Sequence, residues 1–254
     1  MKLLWHKTTT KVFGDRHIKN EDVFSRGRFR GEDINRFVMC DGATSSYAAR
    51  AWATALVSNF AEEGNLSDEE RVYGAARAYE KEYPPTALAG LDHCTIEAFK
   101  RGSSATLLLI VQDKIEHNIL HVTAVGDTCC FVVDEKFHIR ESFPLTHAED
   151  FSTSAYLLTV TCEGLKQLFD EKACGYYWKK VDIDMSQYPS AKVICATDAV
   201  SQWIVKNKEY PESIARLIKA VKNSKRGKFV RFIEYERGRK MMSVDDSSVA
   251  ILEM

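Results

Sequence analysis

The sequence predicts one domain of mixed α and β structure, in the α+β class, and three observations carry that prediction. Short apolar or β-branched runs of strand length recur along the chain and several end at acidic residues. Between them lie runs with helical period, Trp52, Leu56 and Phe60 above all. No Pro/Ser-rich linker, low-complexity stretch or repeat of solenoid length divides the chain, and its 254 residues are enough to bury a substantial core.

Composition narrows the class further. With 45% hydrophobic and 28% charged residues, 13 Gly and 5 Pro, the chain is ordinary globular material rather than disordered. Lys plus Arg at 35 against Asp plus Glu at 36 gives a net charge of −1, so overall charge makes no case for a nucleic-acid or membrane partner. The start, Met1 to Lys7, carries no apolar stretch of signal-peptide length, and the longest apolar run, Ala105 to Val111 apart from Thr106, is far too short to span a bilayer; a cytoplasmic protein is expected. Seven cysteines without CxxC spacing read as reduced thiols, mostly core filler.

Taken in order, Val12-Phe13 and Val23-Phe24 are short strand candidates around the turn signal Gly14-Asp15. Arg36 to Cys40 reads as a buried strand ending at Asp41-Gly42. The Trp52, Leu56, Phe60 stripe predicts an amphipathic helix over 45–61, and Ser67 with Glu70 forms a capping-box signature for a second, which Pro84-Pro85 stops. Residues 91–100 add a further turn or two of helix. The runs 104–112, 118–125 and 128–134, with Gly126-Asp127 between the last two, predict an antiparallel meander with Asp127 at a hairpin tip. A helix is expected over 152–170, strands over 176–182 and 192–197, and a helix over 212–222. Trp203 is expected in the core, and alternation predicts that Cys129 and Cys130 face opposite ways. Ten Lys or Arg between 216 and 240 form a basic segment that reads as solvated helix and loop, with docking of a phosphorylated partner as the sharper alternative.

Three acidic positions share a pattern. Asp41 follows one apolar run, Asp198 follows Val193 to Thr197, and Asp245-Asp246 precede Ser247 to Leu252. Carboxylates at strand ends can converge on one rim of a sheet, where crowding makes them dependent on cations or protons, and that points to a metal site.

In sequence order, Asn20-Glu21-Asp22, Asp41-Gly42, Gly102 to Thr106, Gly126-Asp127-Thr128, Pro144-Leu145-Thr146, Ala196-Thr197-Asp198 and Asp245 to Ser248 resemble the motif series of the metal-dependent type-2C serine/threonine protein phosphatases. The series spans nearly the whole chain. The resemblance implies a four-layer α-β-β-α sandwich, two central antiparallel β-sheets flanked by helices, with two Mg²⁺ or Mn²⁺ ions at one edge. Oxygen-only ligands agree with hard divalent cations rather than zinc.

By its place in the motifs, Asp41 is similar to the ligand that bridges both metals, and the Gly42 carbonyl and Glu21 match ligands of one of them. Asp198 and Asp245 match ligands of the other, and Asp22 matches an orienting residue behind them. The implied chemistry is hydrolysis of phosphoserine or phosphothreonine on proteins by a water bridging two cations roughly 3.5–4 Å apart, with no covalent intermediate. The chain departs from the pattern at four places. His17 stands where an arginine usually holds the substrate phosphate, with Arg16 beside it, and either can take that role. Ala43 replaces a histidine, and Cys129 an arginine. Gln202 replaces the aspartate that joins Asp127 at a third metal in relatives, so two ions are expected. Phosphoproteins and a cognate kinase are the expected partners. A catalytically silent module that binds a phosphorylated partner or kinase is the rival reading, favoured by the four changes, and a hydrolase of small phosphorylated molecules is a third.

Overall fold

The structure, a computed structural model, describes residues 1–11, 20–25, 33–84, 90, 92–152, 156–161 and 178–254. Val12-Phe13, Gly14-Asp15, Arg16 and His17 lie outside the described residues, as does most of the helix expected over 152–170.

Twelve strands and six helices are described. The strands are β1 (Lys2–Thr9), β2 (Val23–Phe24), β3 (Arg36–Cys40), β4 (Ser103–Ala105), β5 (Leu107–Gln112), β6 (Ile119–Val125), β7 (Cys129–Val133), β8 (Ile139–Phe143), β9 (Leu158–Val160), β10 (Lys179–Asp184), β11 (Lys192–Ala196) and β12 (Ser247–Glu253). The helices are α1 (Ala49–Ala61), α2 (Asp68–Glu82), α3 (His93–Arg101), α4 (Asp198–Lys206), α5 (Pro211–Lys222) and α6 (Arg226–Gly238). One five-stranded sheet runs β1-β12-β11-β7-β8, a second runs β10-β6-β5-β3-β2, and β4 pairs with β9 in a two-stranded sheet. All the pairings of named strands are antiparallel.

Three apolar clusters hold these elements together. The first joins Trp52, Leu56 and Phe60 of α1 and Val72, Ala75 and Tyr79 of α2 to Val38, Leu107 and Leu109 of the second sheet. Another combines Phe37, Met39, Leu108 and Val122 of the second sheet with Cys130, Val193, Cys195 and Ala250 of the first. The last packs Trp203, Leu217, Phe229 and Ile233 from α4, α5 and α6 on Phe131, Ile194 and Ile251 of the first sheet. Alternation along a strand accounts for the division, since successive side chains leave opposite faces. Cys129 and Cys130 thus point opposite ways as expected, yet both are buried, because each face of β7 is covered.

The structure corrects three expectations. Residues 104–112 are two strands rather than one, broken at Thr106. The Gly126-Asp127 segment is not a hairpin tip: β6 belongs to the second sheet and β7 to the first, so the chain crosses between sheets there. The reason lies in the faces. Leu120, Val122 and Ala124 of β6 enter the cluster between the sheets while His121 stays half-exposed, whereas β7 is apolar on both faces and pairs with β11, which is likewise buried on both. Gly126 makes the crossing at φ +93°, with Thr106 so close that an added Cβ would lie 2.8 Å from its Cγ2. Within the span expected as helix, Leu158–Val160 is a strand on β4, where the Thr159 and Ser104 hydroxyls share a 2.8 Å hydrogen bond and the Leu158 carbonyl accepts from Trp52 Nε1 at 2.7 Å.

The helices begin and end where local chemistry permits. Ser67 and Glu70 form the reciprocal capping box at the start of α2, and Asp92 caps α3 through the Thr95 N–H. The end of α1 is closed from outside the helix. Buried Arg71 donates from Nη1 to the carbonyls of Asn59 (2.6 Å) and Glu62 (2.9 Å), and from Nη2 to that of Gly64 (2.9 Å). A guanidinium suits this position because its fork reaches several carbonyls at once. Replacing it leaves those carbonyls without their donor, so Arg71→Leu is expected to cost about 2–3 kcal/mol, read as a lower urea midpoint, with Arg71→Lys recovering only part. An unchanged midpoint would refute this role for Arg71.

Candidate functional site

The acidic residues singled out above meet at one edge of the two large sheets. Asp41 follows the last residue of β3, Asp198 opens α4 one residue after β11, Asp245-Asp246 lead into β12, and Asp127 lies in the crossing between β6 and β7. Antiparallel pairing puts the C-terminal end of β11 beside the start of β12, and the C-terminal end of β3 in the second sheet reaches the same margin, where the charges of Asp198 and Asp245 act on Asp41.

Hydrogen bonds fix each position. Asp41 donates its N–H to Thr106 Oγ1 (2.8 Å) and accepts from the Thr106 N–H (2.8 Å), while the Thr106 and Thr128 hydroxyls share a 2.6 Å bond. The break between β4 and β5 therefore holds Asp41. Gly42 is pressed against the first turn of α1, where a Cβ would lie 3.0 Å from the Ala49 carbonyl carbon and oxygen. Asp22 is buried at the ends of β11 and β12. Its Oδ2 accepts from the Thr197 hydroxyl at 3.2 Å, and that hydroxyl in turn accepts the Ser248 N–H at 3.0 Å. Its Oδ1 has no hydrogen-bond partner among the described residues.

Several positioning residues gave little signal in the sequence. Asp246 accepts the backbone N–H of Lys11 (2.8 Å) and of Glu21 (2.6 Å), which ties the start of β12 to the segment carrying Glu21. Asn20 donates to Thr8 Oγ1 and the Thr9 carbonyl and accepts the Asp22 N–H. Arg237, buried in α6, donates to the carbonyls of Thr10 (3.2 Å) and Asp245. Arg50 of α1 donates from Nη1 to the carbonyls of Asn20 and Asp22, the latter at 3.2 Å. Arg237 sits inside the basic 216–240 run and is buried, so that run is not wholly solvated, while exposed Arg216 of the same run pairs with buried Glu236 at 2.5 Å. Glu236 also accepts from Trp203 Nε1, and Trp203 lies in the core as expected.

Crowding has a clear electrostatic signature. Burial drives the Asp41 carboxyl well above the usual carboxylate range, and the charges of Asp22, Asp198, Asp127 and Asp245 push it further. Burial likewise raises Asp198 to about 7, helped by Asp127 and Asp245 and opposed by the Ala199 N–H. Burial also raises Asp22 to about 7, with the charge of Asp246 adding to it and hydrogen bonding from Ser248, then Asp41 and Thr197, only partly offsetting the rise. Asp127 is raised by burial and Asp245. Each carboxylate makes its neighbours harder to ionise, and this is the environment that a cation relieves.

Glu21 differs from the rest. Its Oε2 accepts from Lys11 Nζ and from Thr44 Oγ1, each at 2.9 Å. A groove of about 640 Å³ opens beside it, lined by Lys11, Glu21, Thr44, Arg50, Thr54 and Tyr83 among others. Gln202 is turned away, donating to the Ala148 carbonyl at 3.3 Å. Arg16 and His17, the expected phosphate contacts, lie outside the described residues.

The donor set suits hard divalent cations: it consists of carboxylate and carbonyl oxygens, with Asp41 held above the usual carboxylate range by its acidic neighbours and the orphaned Asp22 Oδ1 buried behind them. Among the described residues no three His, Cys, Asp or Glu side chains already stand in a geometry that holds one ion. The residues fit such an ion by chemistry and placement, and their side chains would have to turn to bind it.

The architecture matches solved phosphatases along its whole length. The serine/threonine phosphatase Stp1 from Staphylococcus aureus superposes with a TM-score of 0.56 at 15% identity, covering 100% of this chain and 98% of that one. The fold is that of these phosphatases. The PPM Ser-Thr phosphatase MsPP from Mycobacterium smegmatis, solved in complex with cacodylate, gives 0.54 at 13% identity and covers all of both chains. A bacterial serine phosphatase gives 0.53 at 14%, covering 97% and 95%. No family model matches the chain, and no curated protein does. Among the described residues, no helix is long and apolar enough to cross a membrane.

The raised carboxyls make a pH prediction. A carboxyl whose folded pKa lies above its unfolded value keeps its proton in the folded state where the unfolded chain has released it. Stability in EDTA should therefore fall as pH rises from about 4, the unfolded value, through about 7, where Asp22 and Asp198 titrate. The expected result is a melting temperature that drops between about pH 5 and about pH 8 and drops less in Asp198→Asn. A melting temperature rising over that interval would contradict the repulsive cluster.

Proposed function

We propose that this chain is a metal-dependent serine/threonine protein phosphatase. The observation that carries the reading is the gathering of Asp41, Asp127, Asp198 and Asp245 at the edge of a phosphatase fold, where the charges of Asp127, Asp198 and Asp245 add to burial in making Asp41 hard to ionise. The three apolar clusters support reading the sheets and helices as four layers, α-β-β-α, in one domain over residues 1–254.

In this reading Asp41, Asp198 and Asp245 would hold one divalent cation, Mg²⁺ or Mn²⁺, and Asp41, Glu21 and the Gly42 carbonyl would hold a second. Such a pair supplies charge neutralisation for a phosphoryl group and activation of an attacking water. The chain's own residues do the rest. Thr106 and Thr128 hold Asp41 by its backbone, leaving its carboxylate for the site. Asp246 and Asn20 fix the Glu21-Asp22 segment. Gly42 lets α1 approach closely enough for Arg50 to reach that segment from above. Asp127 adds negative charge without its third-site partner, since Gln202 is engaged elsewhere. Arg16 and His17 are proposed as phosphate contacts, with Arg50 and Lys11 lining the adjoining groove. Phosphoproteins are the proposed substrates, with a cognate kinase as partner and the cytoplasm as location.

A silent phosphatase-fold module that binds a phosphorylated protein or a kinase is the second reading. The observation favouring it is the Lys11 ammonium already seated on Glu21. Hydrolysis separates the two. Purified protein with Mn²⁺ or Mg²⁺ should turn over p-nitrophenyl phosphate and a phosphothreonine peptide, with loss in EDTA and at least about a hundredfold loss of kcat in Asp41→Asn. No turnover with either metal, in folded protein, would rule out the enzyme and leave the module.

A further inference from the structure

Lys11 has no counterpart among the residues singled out from the sequence, yet it sits inside the acid cluster. Among the described residues it is the one cationic side chain in contact with a carboxylate of that cluster, because Arg50 and Arg237 reach only backbone carbonyls and a hydroxyl there, apart from Arg237's pairing with Glu234 on its own helix. Its ammonium lies 2.9 Å from Glu21 Oε2 and 2.7 Å from Thr44 Oγ1, and the Thr44 hydroxyl itself donates to the same Glu21 oxygen at 2.9 Å, closing a ring of three polar groups. Both charged side chains are mostly shielded, at 19% and 21% exposure, so solvent screens the pair less than it would a surface salt bridge. The backbone is fixed as well: the Lys11 N–H is donated to Asp246 Oδ1, and Asp246 Oδ2 accepts the Glu21 N–H. One aspartate thus clamps Lys11 and Glu21 side by side.

We propose that Lys11 is a built-in counter-cation that competes with a divalent ion for Glu21. This rests on the metal site proposed above. A unit positive charge beside a carboxylate satisfies part of the field that would otherwise draw a second divalent ion, and it repels that ion directly. The two ends of the cluster are therefore unequal. Among the described residues no cationic side chain contacts the carboxylates of Asp41, Asp198 or Asp245, whereas at the Glu21 end an ammonium already sits on the ligand. The chain holds its first divalent ion at the former end and its second only when metal displaces Lys11 from Glu21. Occupancy of the second position, and any activity that needs both ions, then depends on free divalent concentration.

Calorimetric titration of the metal-free chain with Mn²⁺ tests this without an activity readout. Wild-type protein should show one stronger and one weaker class of site. Lys11→Met, which keeps the unbranched stem and removes the charge, should tighten the weaker class by about tenfold or more while moving the stronger class by less than about threefold. Lys11→Arg should stay near wild type, and Glu21→Gln should abolish the weaker class in both backgrounds. Mn²⁺-dependent rise in melting temperature gives the same comparison independently and confirms that each variant folds. Equal affinities in wild type and Lys11→Met, or weaker binding in the variant, would overturn the role of Lys11 and leave the metal site standing. Absence of Mn²⁺ binding in both proteins would overturn the metal site and this inference with it.

Discussion

Mutual repulsion among carboxylates held at the ends of strands is the constraint on which the rest of this structure turns. Asp41, Asp127, Asp198 and Asp245 would separate if their backbones were free, and the chain spends polar groups to prevent it. Thr106 grips Asp41 through two backbone bonds, and Asp246 binds two N–H groups from the opposite end of the sequence. Thr197 links the β11 and β12 ends to Asp22, and Arg237 reaches from α6 to the carbonyls of Thr10 and Asp245. None of these contacts lowers the electrostatic cost by much. They hold the backbone in register while the cost stays in the side chains, which is what a site built for cations requires.

The surrounding fold is the means of that placement. Two sheets covered on both faces leave their strand ends as the polar margins of an apolar interior, and the crossing at Gly126-Asp127 brings a fourth carboxylate to the margin where β3, β11 and β12 already deliver theirs. The break at Thr106, which splits one expected strand into two, serves the same end: its hydroxyl meets both Asp41 and Thr128. The break at Thr106 and the crossing at Gly126-Asp127 thus both lie where the acids converge.

The central strands were legible in the sequence because burial on both faces writes an unbroken apolar run, as at Phe37 to Cys40 and Val193 to Ala196. The helices α1, α2 and α5 were legible from period and capping. The edge strands of the second sheet, Val23–Phe24 and Lys179–Asp184, were anticipated as well, but those of the first were not. Lys2–Thr9 and Ile139–Phe143 close the two margins of the first sheet with mixed polar sequence, because an edge strand needs less apolar surface and gains from charge. Which sheet a strand joins was also beyond local pattern, so Gly126-Asp127 read as a hairpin. At the site, the acids that sit at strand ends could be read from position, and away from it the opposed cysteines from alternation. Arg237, Arg50 and Lys11 could not, nor could the clamping role of Asp246, which was noted only as one of an acidic pair, because each acts through a partner from ten to more than two hundred residues away, and no local spacing records such a contact.

Binding of divalent cations at this acid margin is read most directly by anomalous diffraction at the manganese absorption edge from crystals of the chain grown with Mn²⁺. An anomalous peak is expected in contact with the Asp41 carboxylate and flanked by Asp198 and Asp245, with a second towards Glu21 at higher Mn²⁺. Well-ordered acids at this margin with no anomalous density beside Asp41, in crystals saturated with Mn²⁺, would contradict that binding.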